Sequence, residues 1–83
     1  MIASLLGIID AIGMDNMIVN VNGVGFKVSV PTSVLSDLGM IGREVKLYTH
    51  LHVREDDMSL YGFGSLDELR LFETLITVSG LGN

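Results

Sequence analysis

The chain has no cysteine and no tryptophan, one proline, and only three phenylalanines and two tyrosines among 83 residues. Without cysteine, neither a disulfide framework nor thiolate metal ligation can hold it together, so stability must come from an apolar core or from a partner. Repeats of fixed period, low-complexity tracts and proline-rich linkers are also missing, which excludes solenoids and tethered modules. The apolar runs are far too short to span a bilayer, and no membrane association is expected. The apolar opening Met1 to Ile12 lacks a basic flank and is interrupted by Ser4 and Asp10, which argues against a secretory signal and makes cytoplasmic residence the expectation.

Positive charge is scarce as well. Five Lys and Arg face ten Asp and Glu, giving a formal net charge of −5. A chain that holds phosphates by bulk charge carries the opposite balance, so any nucleic-acid contact must rest on backbone donors or on a few placed groups. There is no Lys-bearing phosphate loop, no Ser/His/Asp arrangement and no cofactor fingerprint. Neither catalysis nor a cofactor is expected. The five aromatic side chains are too few for a base-stacking platform.

What remains is a hydrophobic fraction of 48% and a mean hydropathy of +0.52. That is one small folded domain with more apolar surface than a single core readily hides, so self-association is expected.

The strand signals are short and numerous. Ile2 to Ile12 reads as a first strand, with Gly7 marking a sharp bend at a barrel corner. Met17 to Val21 and Val24 to Val30 are joined by Asn22-Gly23, the dipeptide that supplies positive φ for a type I′ hairpin. In the second arm Val24, Phe26, Val28 and Val30 share a packing face opposite Gly25, Lys27 and Ser29. Pro31 ends that strand, Thr32 or Ser33 caps a short helix, and Gly39 stops it. Glu44 to Val53 alternates again, with Val45, Leu47, Thr49, Leu51 and Val53 opposite Lys46, Tyr48, His50 and His52. A charged turn, Arg54-Glu55-Asp56-Asp57, leads to a last strand, Met58 to Phe63. Five short strands with a small helix before the fourth predict a mainly β, Greek-key OB barrel, since a parallel sheet would need longer crossovers.

After Gly64 the pattern changes. Ser65-Leu66-Asp67-Glu68 is a capping box, and Leu69, Phe72, Leu75 and Ile76 recur at helical spacing up to Val78. The string Leu75-Ile76-Thr77-Val78-Ser79-Gly80-Leu81-Gly82 has the form of the first half of a helix-hairpin-helix. Its glycines would let backbone N–H groups approach a phosphate closely. Taken alone, the same string also fits an ordinary helix-terminating glycine.

Two other clusters could carry chemistry. Consecutive acids on a strand point to opposite faces, so Glu55, Asp56 and Asp57 read as a solvated hairpin tip before a metal site. His50 and His52, spaced i and i+2, lack a third ligand and read as strand surface or interface residues. Arg54 reads as a local charge partner of Glu55. No metal site is expected.

Combined, Met1-Ile2-Ala3-Ser4-Leu5-Leu6-Gly7, Asn22-Gly23-Val24-Gly25-Phe26, Thr49-His50-Leu51-His52-Val53-Arg54-Glu55-Asp56, Leu60-Tyr61-Gly62-Phe63 and Ser79-Gly80-Leu81-Gly82 resemble, in order and spacing, the RuvA family of Holliday-junction-binding proteins. The resemblance implies an OB domain over residues 1–63 and, from residue 64, a second domain whose first helix-hairpin-helix is only begun by residue 83. It implies a homotetramer that holds a four-way DNA junction open, for recombination, repair and the SOS response. RuvB, the motor ATPase, would bind through a C-terminal domain, and the RuvC resolvase would be a further partner. The acidic turn, Glu55 and Asp56, would form a central pin, while Gly80, Leu81 and Gly82 would contact the DNA backbone. Asn83 stands where many members have proline, and the family's basic residue after the hairpin lies beyond it. The alternative is an OB protein-interaction or assembly module without nucleic acid.

Overall fold

The computed structural model describes residues 1–79, with the side chains of Val78 and Ser79 left aside. The expected hairpin glycines Gly80 and Gly82, with Leu81 between them, therefore lie outside the described residues.

Strand β1 (Ser4–Ile12) is followed by β2 (Asn16–Val21), β3 (Val24–Ser29), helix α1 (Thr32–Leu38), β4 (Glu44–Val53), β5 (Met58–Phe63) and helix α2 (Leu66–Ser79). The five strands close into a barrel in the order β1-β2-β3-β5-β4. All pairings are antiparallel except β3 with β5, which is parallel and closes the barrel through the single pair Ser29 and Tyr61. This is the expected OB architecture, with α1 ahead of β4.

Strand β1 makes closure possible by serving two neighbours. Ser4 to Ile8 pair with β4, while Ile8 to Ile12 pair with β2 across a register shift between Ile9 and Ala11. Gly7 lies at that corner, where an added Cβ would come 2.3 Å from the Asn20 carbonyl oxygen. Only glycine allows so close a backbone approach. At the β2–β3 turn Asn22 and Gly23 have φ of 52° and 91°, as the hairpin dipeptide requires.

The core fills the barrel with alternate residues from every strand. Ile9, Met17, Val19, Val28 and Leu47 are fully buried, and Val34 of α1 is buried in the same cluster. At about 25 cal/mol per Å² of apolar surface removed from water, this cluster is the main stabilising term. The packing face foreseen for β3 is buried only in its second half: Val28 and Val30 are buried, Phe26 is half-buried and Val24 is 55% exposed at the hairpin end.

Helix α1 is entered differently from expectation. Pro31, not Thr32 or Ser33, is the N-cap residue and no side-chain cap bond forms; instead the Pro31 carbonyl accepts from the Val34 and Leu35 amides. Gly39 ends the helix without a left-handed turn, its φ being −78°. Helix α2 begins as foreseen, with the Glu68 amide donating to Ser65 Oγ at 3.2 Å, but the Ser65 hydroxyl itself turns towards Glu68 Oε1 at 3.4 Å.

Candidate nucleic-acid interface

The β4–β5 hairpin connects two parts of the candidate site. Its ladder runs from the pair Tyr48 and Phe63 to the pair Val53 and Met58, and the Arg54 amide closes the turn by donating to the Asp57 carbonyl at 2.8 Å. Arg54, Glu55, Asp56 and Asp57 are all exposed at its tip. Asp57 accepts a long hydrogen bond from Ser59 Oγ at 3.4 Å. Among the described residues, the Glu55 and Asp56 carboxylates have no hydrogen-bond or ion-pair partner, so their charge faces solvent undiminished. Arg54 makes no ion pair with Glu55. Four-residue turns splay consecutive side chains, and the only contact between an acidic and a basic side chain among the described residues lies elsewhere.

That contact, between His50 and Glu73, is at the base of the hairpin, where α2 docks. Phe72 of α2 lies against three rings of β4 and β5: His50, Tyr61 and Phe63, at centroid separations of 5.7, 5.1 and 5.0 Å. The next residue, Glu73, places Oε2 2.9 Å from His50 Nδ1. An ionised carboxylate only accepts, so Nδ1 carries the proton. Leu69, one turn earlier, is also buried.

This docking overturns the alternation read into β4. His52 was expected on a wet or interfacial surface, but α2 covers that face. His52 is 9% exposed, whereas Val53, assigned to the core face, is 62% exposed because it extends past the barrel towards the tip. The His52 Nε2 atom is buried with no hydrogen-bond partner among the described residues. A groove of about 180 Å³ runs beside it, lined by His52, Arg54, Tyr61, Phe72 and Ile76.

The two histidine rings are 6.3 Å apart, and no group of three His, Asp or Glu side chains among the described residues converges on a possible metal position. His50 instead serves as the tie to α2, a role that strand spacing alone did not reveal. The one hint was an acidic residue, Glu73, one position after the helix's central aromatic.

A family model described as the RuvA N terminal domain matches residues 1–62. The chain belongs to the RuvA N-terminal domain family. Among curated relatives, the Holliday junction branch migration complex subunit RuvA of Dehalococcoides mccartyi is 52% identical over 82 residues, covering 99% of this chain and 42% of that protein. Proteins of the same name from Herpetosiphon aurantiacus and Tropheryma whipplei are 50% and 51% identical over 82 residues, again across 99% of this chain and 42% and 41% of theirs. The chain thus spans about two fifths of the length of the curated relatives it matches. The RuvA N-terminal family match ends at residue 62, at the end of β5, so α2 follows the matched segment. No described helix is long and apolar enough to cross a membrane.

Proposed function

We propose that this chain forms the junction-centre part of a non-catalytic, cytoplasmic DNA-binding subunit of a branch-migration complex. As a homotetramer it would receive a four-way DNA junction. Residues 1–63 make the OB platform, and residues 64–83 begin the second domain, whose hairpin at Gly80, Leu81 and Gly82 holds the duplex arms by their backbones. RuvB supplies ATP-driven force, and RuvC is a further partner on the same junction.

The observation that carries this reading is the exposed turn at the end of β4 and β5, with two unpaired carboxylates, Glu55 and Asp56, in a family whose relatives are named for Holliday junction branch migration. Free carboxylates at a junction centre repel phosphates by about 1 kcal/mol each at 4 Å in water, and by more where water is excluded. Four subunits would bring about eight such groups together, holding strands apart at the crossover. Affinity then comes from the arms and separation from the centre, a division consistent with the net charge of −5.

The test is Glu55→Gln with Asp56→Asn in the intact protein. Binding to a synthetic four-way junction is expected to stay equal or tighten, while the rate of RuvB-driven branch migration changes. Clear loss of junction binding would remove the pin assignment. Binding insensitive to salt and indifferent to junction structure would favour the assembly-module alternative, which the exposed Leu6 and Ile8 of β1 also suit.

A further inference from the structure

Helix α2 is tied to the hairpin at two adjacent residues. Phe72 contacts the rings of His50 and Tyr61, which are themselves cross-strand partners, and Glu73 accepts from His50 Nδ1 at 2.9 Å. An aromatic contact alone leaves a helix free to pivot about it. A second, directional attachment one residue further on removes that freedom. The His50–Glu73 contact is only partly buried, its side chains 21% and 46% exposed, and such contacts contribute little to global stability. Its effect is geometric.

Beside this tie lies the groove lined by His52, Arg54, Tyr61, Phe72 and Ile76, and the helix runs on past it to Ser79. Strand β4 runs on from His50 to Val53 and the turn then carries the chain to Glu55, at most about 17 Å away at 3.3 Å per residue. Six helical residues separate Glu73 from Ser79, about 9 Å at 1.5 Å per residue. A 10° pivot at the tie would shift the tip by about 3 Å relative to the helix, on the same strand geometry.

We infer that His50 is a positioning residue: through Glu73, and with Phe72 as fulcrum, it sets the direction of α2 relative to the acidic turn, and so how one DNA junction meets both. The inference rests on the junction-binding reading for its DNA consequence and on the β4–α2 geometry for its mechanical one. His50 then determines specificity for four-way junctions over duplex DNA without touching DNA itself.

The experiment has two arms on the intact protein. In the first, spin labels are placed at Met58→Cys and Thr74→Cys, both exposed in a segment with no cysteine of its own, any cysteine outside residues 1–83 is replaced by serine, and labelled subunits are diluted with unlabelled ones. The wild-type background should give one narrow distance distribution, His50→Ala a broadened one, and His50→Gln, whose amide can still donate to Glu73, a narrow one again. In the second arm, His50→Ala should reduce the preference for a synthetic four-way junction over duplex about tenfold, because misplacing a rigid element by a few ångströms forfeits its contacts. Duplex affinity should stay within about twofold on the same argument, the duplex engaging only one of the two elements, and His50→Gln should restore the preference. Glu73→Gln, which keeps an acceptor, serves as a second conservative variant.

An unchanged distance distribution in His50→Ala would overturn the tie. A broadened distribution with an unchanged junction-to-duplex ratio would overturn its role in specificity, as would equal losses on junction and duplex. If the unaltered protein shows no junction preference, the proposed function itself fails, and the distance arm still decides the mechanical claim.

Discussion

Gly62 should be the least replaceable position of β5, and alanine is the smallest perturbation that tests this. It pairs with Thr49 in the ladder, and an added Cβ would lie 2.6 Å from Val28 Cγ1, 3.2 Å from Leu47 Cδ1 and 3.4 Å from Leu47 Cβ. Val28 and Leu47 are both 0% exposed and belong to one core cluster, so neither can retreat without displacing other core residues. Inserting a methyl group into such a core costs about 1–3 kcal/mol. Against this, alanine restricts the unfolded chain and recovers about 0.5–1 kcal/mol. Central values of the two terms leave a loss of about 1 kcal/mol, or roughly 4–8 °C in Tm for a domain of this size. Gly25 is the matched control: it is exposed on β3, and its added Cβ would meet only Ile18 Cγ2 at 3.2 Å. Gly25→Ala should stay within about 0.5 kcal/mol of the wild type, as surface changes usually do. Thermal melts followed by circular dichroism at two protein concentrations would separate folding from any coupled self-association. Gly62→Ala melting with the wild type, or Gly25→Ala falling as far as Gly62→Ala, would refute the packing argument.

Other substitutions probe the remaining structural claims. His52→Leu removes the unpartnered buried Nε2, whose desolvation costs about 1–3 kcal/mol, so its Tm should rise; a fall would mean that Nε2 is satisfied in solution. Thr49→Val takes away the hydroxyl that donates to the Ile2 carbonyl at 2.7 Å and should cost about 1–3 kcal/mol in urea denaturation, a neutral result showing that the chain before β1 finds another partner. Gly80→Val or Gly82→Val in the intact protein should weaken binding to duplex arms of any sequence, whereas unchanged affinity would reduce Gly80 to a helix stop.

The features legible in the sequence are those whose physics is local. Asn22-Gly23 announces its turn because its positive φ is a property of two residues, and Ser65 announces the start of α2 because its cap bond reaches only to residue 68. The acidic turn was readable for the same reason: it connects two alternating strands and projects past the barrel. The misreading of β4 comes from contacts between residues distant in sequence. His52 and Val53 exchange their expected environments because α2, some twenty residues further on, covers one face of β4, and periodicity within a single strand cannot register a helix laid across it. The Pro31 cap was missed because proline's fixed φ and free carbonyl together do what a Thr32 or Ser33 hydroxyl would have done. The tie between His50 and Glu73 joins residues 23 apart, and the place of Glu73 beside Phe72 is too weak a local signal to announce it.

The charge balance shows how a composition argument gives way to placement. An excess of acids counts against phosphate binding only if the charges act as an average over the surface, and screening limits each exposed charge to a range of about 8–10 Å. The turn at residues 54–57 holds three acids and one base, so three of the ten acidic residues are concentrated at one projecting point. A ligand held at a distance from that point experiences little of their field, while a ligand strand pressed against it experiences nearly all. Four-way junction DNA offers both situations in one molecule, arms that can be held remotely and a centre where strands must part. On the proposed reading, negative charge at the tip and affinity for DNA are then compatible as long as the tip is kept at a set distance from the elements that would grip the arms.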